Sequence, residues 1–299
     1  MSLIVLGTLA LDTVNTPYGS RRDMLGGSAA HFAMSARLFT PVHLAAVIGA
    51  DFPKKDIDFL RKKGIILASV QKSSGRSFRW VGEYRGDLNT AKTLNTELGV
   101  LRDFKPCVAK SEKNIENIFL ANTDPDIQMD LLKQMRYPRL VALDSMNYWI
   151  NNKKRSLLKI LKKADIYLAN EGEARELSGE NNLLNAARFL RKLGPSMIVI
   201  KKGEHGVLFY SDKFLFSLPA YPVTKIADPT GAGDTFAGGF MGHISRCRNA
   251  KPQDIKRAIA YGTVCGSFNV EGFGLEKTSH LAMRDLNCRM REFKKVISF

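Results

Sequence analysis

Gly231, Ala232, Gly233 and Asp234 place three small residues immediately ahead of a carboxylate, at a point where the sequence enters a helix. The first backbone N–H groups of a helix have no intrahelical acceptor, and small side chains let a ligand approach them, which suits phosphoryl oxygens. An acidic residue that served only as a cap would repel such an anion. It has a use there if it takes the proton of a hydroxyl that attacks the phosphoryl group. Taken alone, the stretch is equally satisfied by a tight turn and an N-capping aspartate. Other phosphate devices are excluded by their residues: no GxxxxGK[ST] occurs, Phe236 stands where a GxGxxG pattern needs its third glycine, and HRD and DFG triplets are absent.

The elements that must position this stretch read as α/β. From residue 97 onward the apolar runs NIFLAN (117–122), RLVALD (139–144), DIYLAN (165–170) and MIVIKKG (197–203) each follow a longer amphipathic segment, the rhythm of a mainly parallel sheet flanked by helices. LLNAARFLRKLG (183–194) has apolar positions at helical spacing and stops at Gly194-Pro195. Residues 68–96 differ, with Phe78, Trp80, Val81 and Tyr84 between the turn signals Gly75 and Gly86, and read as antiparallel strands. The polar stretch 12–25 reads as a second part of that small sheet. The expected organisation is a large domain of residues 1–11, 26–67 and 97–299, carrying a small β-sheet lid of residues 12–25 and 68–96.

Composition narrows the class. The 299 residues are 44% hydrophobic, enough to bury a sizeable core, and no run reaches the ~18 to 20 uninterrupted apolar residues of a membrane helix. Met1 to Leu11 is apolar but has no basic leader, and reads as a first buried strand. Cys107, Cys247, Cys265 and Cys288 form no CxxC pair and the five histidines no HExxH, which disfavours zinc and points to free thiols in a cytoplasmic protein. Lys and Arg exceed Asp and Glu by 45 to 29, a net +16, spread over many short clusters that read as solvated helix faces and not as a nucleic-acid groove.

The thirteen residues from Asp228 to Phe240 resemble the C-terminal signature of the ribokinase-like, or pfkB, carbohydrate kinase family. The resemblance implies a ribokinase-like three-layer fold and direct in-line transfer from ATP with Mg²⁺. In that reading Asp234 is the catalytic base, Gly231, Ala232 and Gly233 form the anion hole, and Thr230 belongs to the nucleotide side. Asn170-Glu171-Gly172-Glu173 resembles the family's NxxE motif, which makes Asn170 and Glu173 expected organisers of magnesium through water; as residues alone they equally read as a helix N-cap. Lys202-Gly203-Glu204-His205-Gly206 resembles the glycine-containing strand and turn near the nucleotide, with Lys202, Gly203 and Gly206 as the expected contacts, although any strand exit can look this way.

Near the N-terminus, Gly7 to Asp12 and Gly26 to Ala30 resemble the family's two substrate segments. Asp12, Gly26, Gly27 and His31 are accordingly the expected acceptor contacts, with His31 standing where the family usually has Asn. Without the resemblance, Asp12 reads as a turn or cap aspartate. Some relatives hold a monovalent cation, for which loop carbonyls near Asp228 and in residues 267–274 are the candidates here. Phe78 and Trp80 are either an apolar wall of the acceptor pocket or lid core, and a homodimer joined through the lid is a further expectation. The leading expectation is a sugar kinase without specific nucleic-acid or membrane partners. A nucleoside kinase on the same fold is the alternative, and a non-catalytic ligand- or nucleic-acid-binding protein is a third reading.

Overall fold

The computed structural model describes residues 1–86 and 88–298; residues 87 and 299, inside the expected lid and large-domain segments, lie outside the described residues. The large sheet is built from β1 (Leu3–Leu6), β4 (Val42–Ile48), β5 (Ile66–Lys72), β8 (Asn117–Leu120), β9 (Leu140–Asp144), β10 (Ile166–Asn170), β11 (Met197–Lys201), β12 (Val207–Ser211) and β13 (Leu215–Leu218). Among the described residues its order is β13-β12-β11-β10-β9-β8-β1-β4-β5. Every pairing is parallel except β11 with β12 and β12 with β13.

Alternation along β1 explains the layers. Leu3 and Val5 face one core and Ile4 and Leu6 the other, as the two-residue period of a strand requires. On the first side lie α1 (Ser28–Ala36), α2 (Lys54–Lys62), α8 (Ala232–Ile244), α9 (Pro252–Asn269) and α10 (Met283–Ile297), with Phe32 stacked on Phe119 at 4.3 Å between ring centroids. On the second lie α3 (Pro125–Leu132), α4 (Asn147–Asn152), α5 (Lys154–Leu161), α6 (Glu171–Ser178) and α7 (Leu183–Lys192). Local chemistry sets their ends. Asn182 caps α7 by accepting the N–H groups of Leu184 and Asn185, and Gly179 ends α6 in the left-handed conformation, φ 74°.

A second, four-stranded sheet runs β3-β2-β6-β7, from β2 (Ala10–Thr16), β3 (Gly19–Gly26), β6 (Arg79–Tyr84) and β7 (Ala91–Glu97). It is the expected small sheet with one difference: β2 pairs with β6 in parallel, and only the outer pairs are antiparallel. The chain direction accounts for this. The chain reaches β2 from β1 and β6 from β5, two strands that point the same way in the large sheet. Residues 68–72, expected in the lid, pair with β4 as part of the large sheet. No helix among the described residues is long and apolar enough to cross a membrane.

Candidate active site

The ends of β9, β10 and β11 bring Asp144, Asn170 and Lys201 to one edge of the sheet, the side on which open α/β folds bind ligands. Facing them is the start of α8. Gly231 occupies its N-cap in the left-handed conformation, φ 73°, and a Cβ there would fall 2.2 Å from Cγ of His31. The capping alternative for Asp234 is therefore settled: it is the third residue of the helix and caps nothing. Among the described residues the N–H groups of Gly231, Gly233 and Asp234 find no protein acceptor. That of Ala232, expected in the anion hole, instead donates to the Pro229 carbonyl at 3.1 Å.

Asp144 and Lys201 were not expected. The Lys201 ammonium donates to Asp144 Oδ2 at 2.8 Å, and a Cβ on Gly233 would meet Lys201 Nζ at 3.1 Å. Asp144 is buried and Lys201 partly so, both within electrostatic reach of Asp234. Burial pushes the Asp234 carboxyl up to about 7, with Asp144 adding to the shift and Lys201 opposing it. Glu173 is pushed up to about 8, again by burial first, then by Asp144, against Lys201 and the Asn170 amide. Burial alone would lower Lys201, but Asp144 and Glu173 outweigh it and the ammonium is held above its ordinary range. The sequence does carry a signal for both residues, since each is the polar last residue of an apolar strand.

Asn170 and Glu173 form a capping box at the start of α6. Asn170 Oδ1 accepts the Glu173 N–H at 2.8 Å, Glu173 Oε2 accepts the Asn170 N–H at 2.7 Å, and Asn170 Nδ2 donates to Oε1 at 2.7 Å. Both carboxylate oxygens are thus engaged, while Asn170 is exposed at the wall of a cleft of about 610 Å³. Gly203, Gly206, Ala232 and Gly233 line the same cleft. Its lysine is Lys201; Lys202 does not line it. Thr230 also stands apart, its hydroxyl donating to Tyr84 Oη at 3.3 Å.

Where the small sheet meets α1, Asp12 of β2 is 5% exposed and accepts the Gly27 N–H at 3.1 Å. The glycine pair makes this fit possible: a Cβ on Gly26 would lie 2.1 Å from Asp12 Oδ2, and Gly27 has φ 89°. Burial raises the Asp12 carboxyl to about 7, against the Gly27 hydrogen bond and reinforced by Asp228 and Asp234. His31 is buried on α1 and bonds through Nδ1 to Asn269 Oδ1 at 3.0 Å. Trp80 stands opposite Asp12 in the β2–β6 register and packs with Val14, Tyr84 and Leu88 in the lid's apolar cluster, while Phe78 contributes a carbonyl that accepts the Leu11 N–H. Beyond Leu88, which is buried at φ 61°, Asn89 reaches the cleft and donates to Glu204 Oε1 at 3.0 Å.

The comparisons with known proteins agree with this arrangement. The sequence matches the pfkB family of carbohydrate kinases over residues 12–280. It is 34% identical over 254 residues to a cytidine kinase of Thermococcus kodakarensis, covering 83% of this chain and 90% of that protein. It is 24% identical over 261 residues to a nucleoside kinase of Methanocaldococcus jannaschii, covering 86% and 82%. The crystal structure of a Methanocaldococcus jannaschii nucleoside kinase superposes with a TM-score of 0.78 at 20% identity, covering 97% of this chain and 98% of that one. A putative ribokinase II of E. coli in complex with ATP and Mg²⁺ gives 0.80 at 18% identity, covering 97% and 99%. The chain belongs to the pfkB carbohydrate kinase family and is a phosphotransferase of the ribokinase fold.

Proposed function

We propose that this enzyme transfers the γ-phosphoryl group of ATP to a hydroxyl of a pyrimidine nucleoside of the cytidine type. The observation that carries the nucleoside reading is that Asp12 and the aromatic side chain of Trp80 issue from the same face of the lid sheet, with Tyr84 in the same cluster. A carboxylate accepts the two hydrogen bonds of a vicinal diol, and an aromatic surface beside it suits a base, which a free sugar does not need. Similarity to a cytidine kinase points the same way and reverses the order favoured by the motifs alone, which put a sugar first.

In this reading Asp12 holds the acceptor's diol and Asp234 takes the proton of the attacking hydroxyl. The free amides of Gly231, Gly233 and Asp234 receive the phosphoryl oxygens. Among the described residues no cluster of three acidic, histidine or cysteine side chains could cage a metal, and both Glu173 oxygens already accept hydrogen bonds. That donor set fits Mg²⁺ bound mainly by the nucleotide's phosphates and its own water, with exposed Asn170 and the Glu173 carboxylate behind it orienting that water. The ion would neutralise charge on the phosphates.

The test is ADP release with ATP and Mg²⁺ across cytidine, uridine, adenosine, inosine, ribose and fructose. A kcat/KM for cytidine about tenfold or more above that for ribose is the expected result. A free sugar turned over better than every nucleoside would overturn the reading. Each assay is run with and without potassium, because the segments at 228 and 267–274 lie together: the Ala227 and Asp228 N–H groups donate to the Val270 carbonyl at 2.7 and 3.3 Å.

A further inference from the structure

Asp144, Glu173 and Asp234 act on one another electrically around the free amides at the start of α8. Ionised carboxylates there repel a triphosphate, and amides alone carry only partial charge. Lys201 is the cation that acts on both Glu173 and Asp234, and it lines the cleft beside Gly233. Its Nζ lies 3.1 Å from where a Gly233 Cβ would be, so an oxygen received by the Gly233 amide is within reach of the ammonium. An ammonium has three N–H donors, and Asp144 takes one of them.

We propose that Lys201 is a catalytic residue that donates to an oxygen of the transferred γ-phosphoryl group, with Asp144 as the positioning residue that holds its ammonium beside the Gly233 amide. The step balances without a proton from lysine. The acceptor oxygen forms a bond to the γ-phosphorus, the bond from that phosphorus to the β,γ-bridging oxygen breaks with its electron pair leaving on ADP, and the hydroxyl proton passes to Asp234. Lys201 remains an ammonium throughout and offsets the charge spread over the equatorial oxygens. The purely structural alternative is that Lys201 only neutralises buried Asp144.

This rests on the cleft being the ATP site, and the experiment separates the two claims. Calorimetry measures binding of Mg–AMP-PNP and Mg–ADP to the wild-type protein, to Lys201→Met and to Lys201→Met/Asp144→Asn, which removes the buried charges together. Wild-type protein that bound neither nucleotide would overturn the nucleotide site and this proposal with it. Given wild-type binding, Lys201→Met is expected to weaken AMP-PNP about tenfold more than ADP, because only AMP-PNP carries the γ-group. The double variant, whose folding is checked by its melting curve, should show the same selective loss and a low kcat. Equal losses for the two nucleotides, or AMP-PNP affinity and kcat restored in the double variant, would mean that Lys201 only balances Asp144, and would overturn the assignment while leaving the ATP site standing.

Discussion

His31 Nδ1 lies 3.0 Å from the side-chain oxygen of Asn269, an oxygen that also accepts the Thr235 hydroxyl at 2.8 Å. The amide nitrogen of Asn269 donates to the Thr230 carbonyl at 2.7 Å, which fixes which end of the amide faces His31. An amide oxygen cannot donate, so Nδ1 carries the proton and Nε2 keeps its lone pair. Burial lowers the pKa of the ring, which favours the neutral imidazole. One asparagine thus ties α1 to the residue just before the N-cap of α8. His31→Asn should break that tie and change the acceptor KM several-fold, with the KM for ATP within about twofold. Asn269→Leu should lower kcat as well, because it also releases the Thr230 carbonyl. Steady-state kinetics on both variants check this, and an Asn269→Leu enzyme with wild-type kcat would contradict it.

Asp234→Asn should lower kcat by about 10²-fold or more while nucleotide binding persists, because proton acceptance matters in the transition state. Single-turnover kinetics beside nucleotide calorimetry separate the two. Near-normal turnover in this variant would remove Asp234 from the mechanism.

The raised carboxyls give activity and stability opposite pH trends. Asp12 and Asp234 move from an ordinary value of 3.8 to about 7, and Glu173 from 4.5 to about 8. A group whose folded pKa is raised contributes stability that is full below its unfolded pKa and is lost as pH rises through the folded pKa. The melting temperature should therefore fall as pH rises from about 4 to about 8, between the unfolded and folded pKa values, and level off above, while kcat/KM rises with an apparent midpoint near 7 that belongs to the coupled aspartates together. Asp234→Asn should flatten part of the stability trend. Melting curves and pH–rate profiles on the same samples test both.

Glycine substitutions should divide sharply by position. Gly231→Ala meets His31 and a left-handed backbone, and Gly233→Val meets Lys201 Nζ, so both should lose activity. Gly64 also has positive φ, 80°, but a Cβ there meets nothing within 4 Å. Gly64→Ala should cost about 1 kcal/mol of stability from backbone strain alone and leave kcat unchanged. Denaturation and turnover measured on all three proteins make the comparison.

Asp12→Ala should raise the acceptor KM by about tenfold or more, the loss of charged hydrogen bonds to a diol, and barely alter the KM for ATP. An unchanged acceptor KM would place the acceptor elsewhere.

What the sequence reveals depends on how far apart the partners lie along it. Gly231, Gly233 and Asp234 share one segment, so their place at a helix start could be read locally, and so could the capping box of Asn170 and Glu173. The buried strands announce themselves because both faces of a parallel sheet are covered, as in the unbroken Leu3–Leu6. Lys201 and Lys202 are neighbours of identical type, and only the end of the strand decides which enters the cleft. Asn269 meets His31 across 238 positions of sequence, and nothing local marks the pair. The parallel joint between β2 and β6 was hidden for a related reason, since it follows from the directions of two strands in another sheet.

The contact of Asn89 with Glu204 bears on the order of events in a catalytic cycle. The same hairpin tip packs Leu88 against Val14 and Tyr84 in the lid cluster, and both Leu88 and Asn89 line the cleft. Under the proposed reading, this one element borders both the acceptor and the nucleotide. Release of the phosphorylated product and of ADP should then be linked, and the slower of the two departures sets how soon the enzyme is ready for the next pair of substrates.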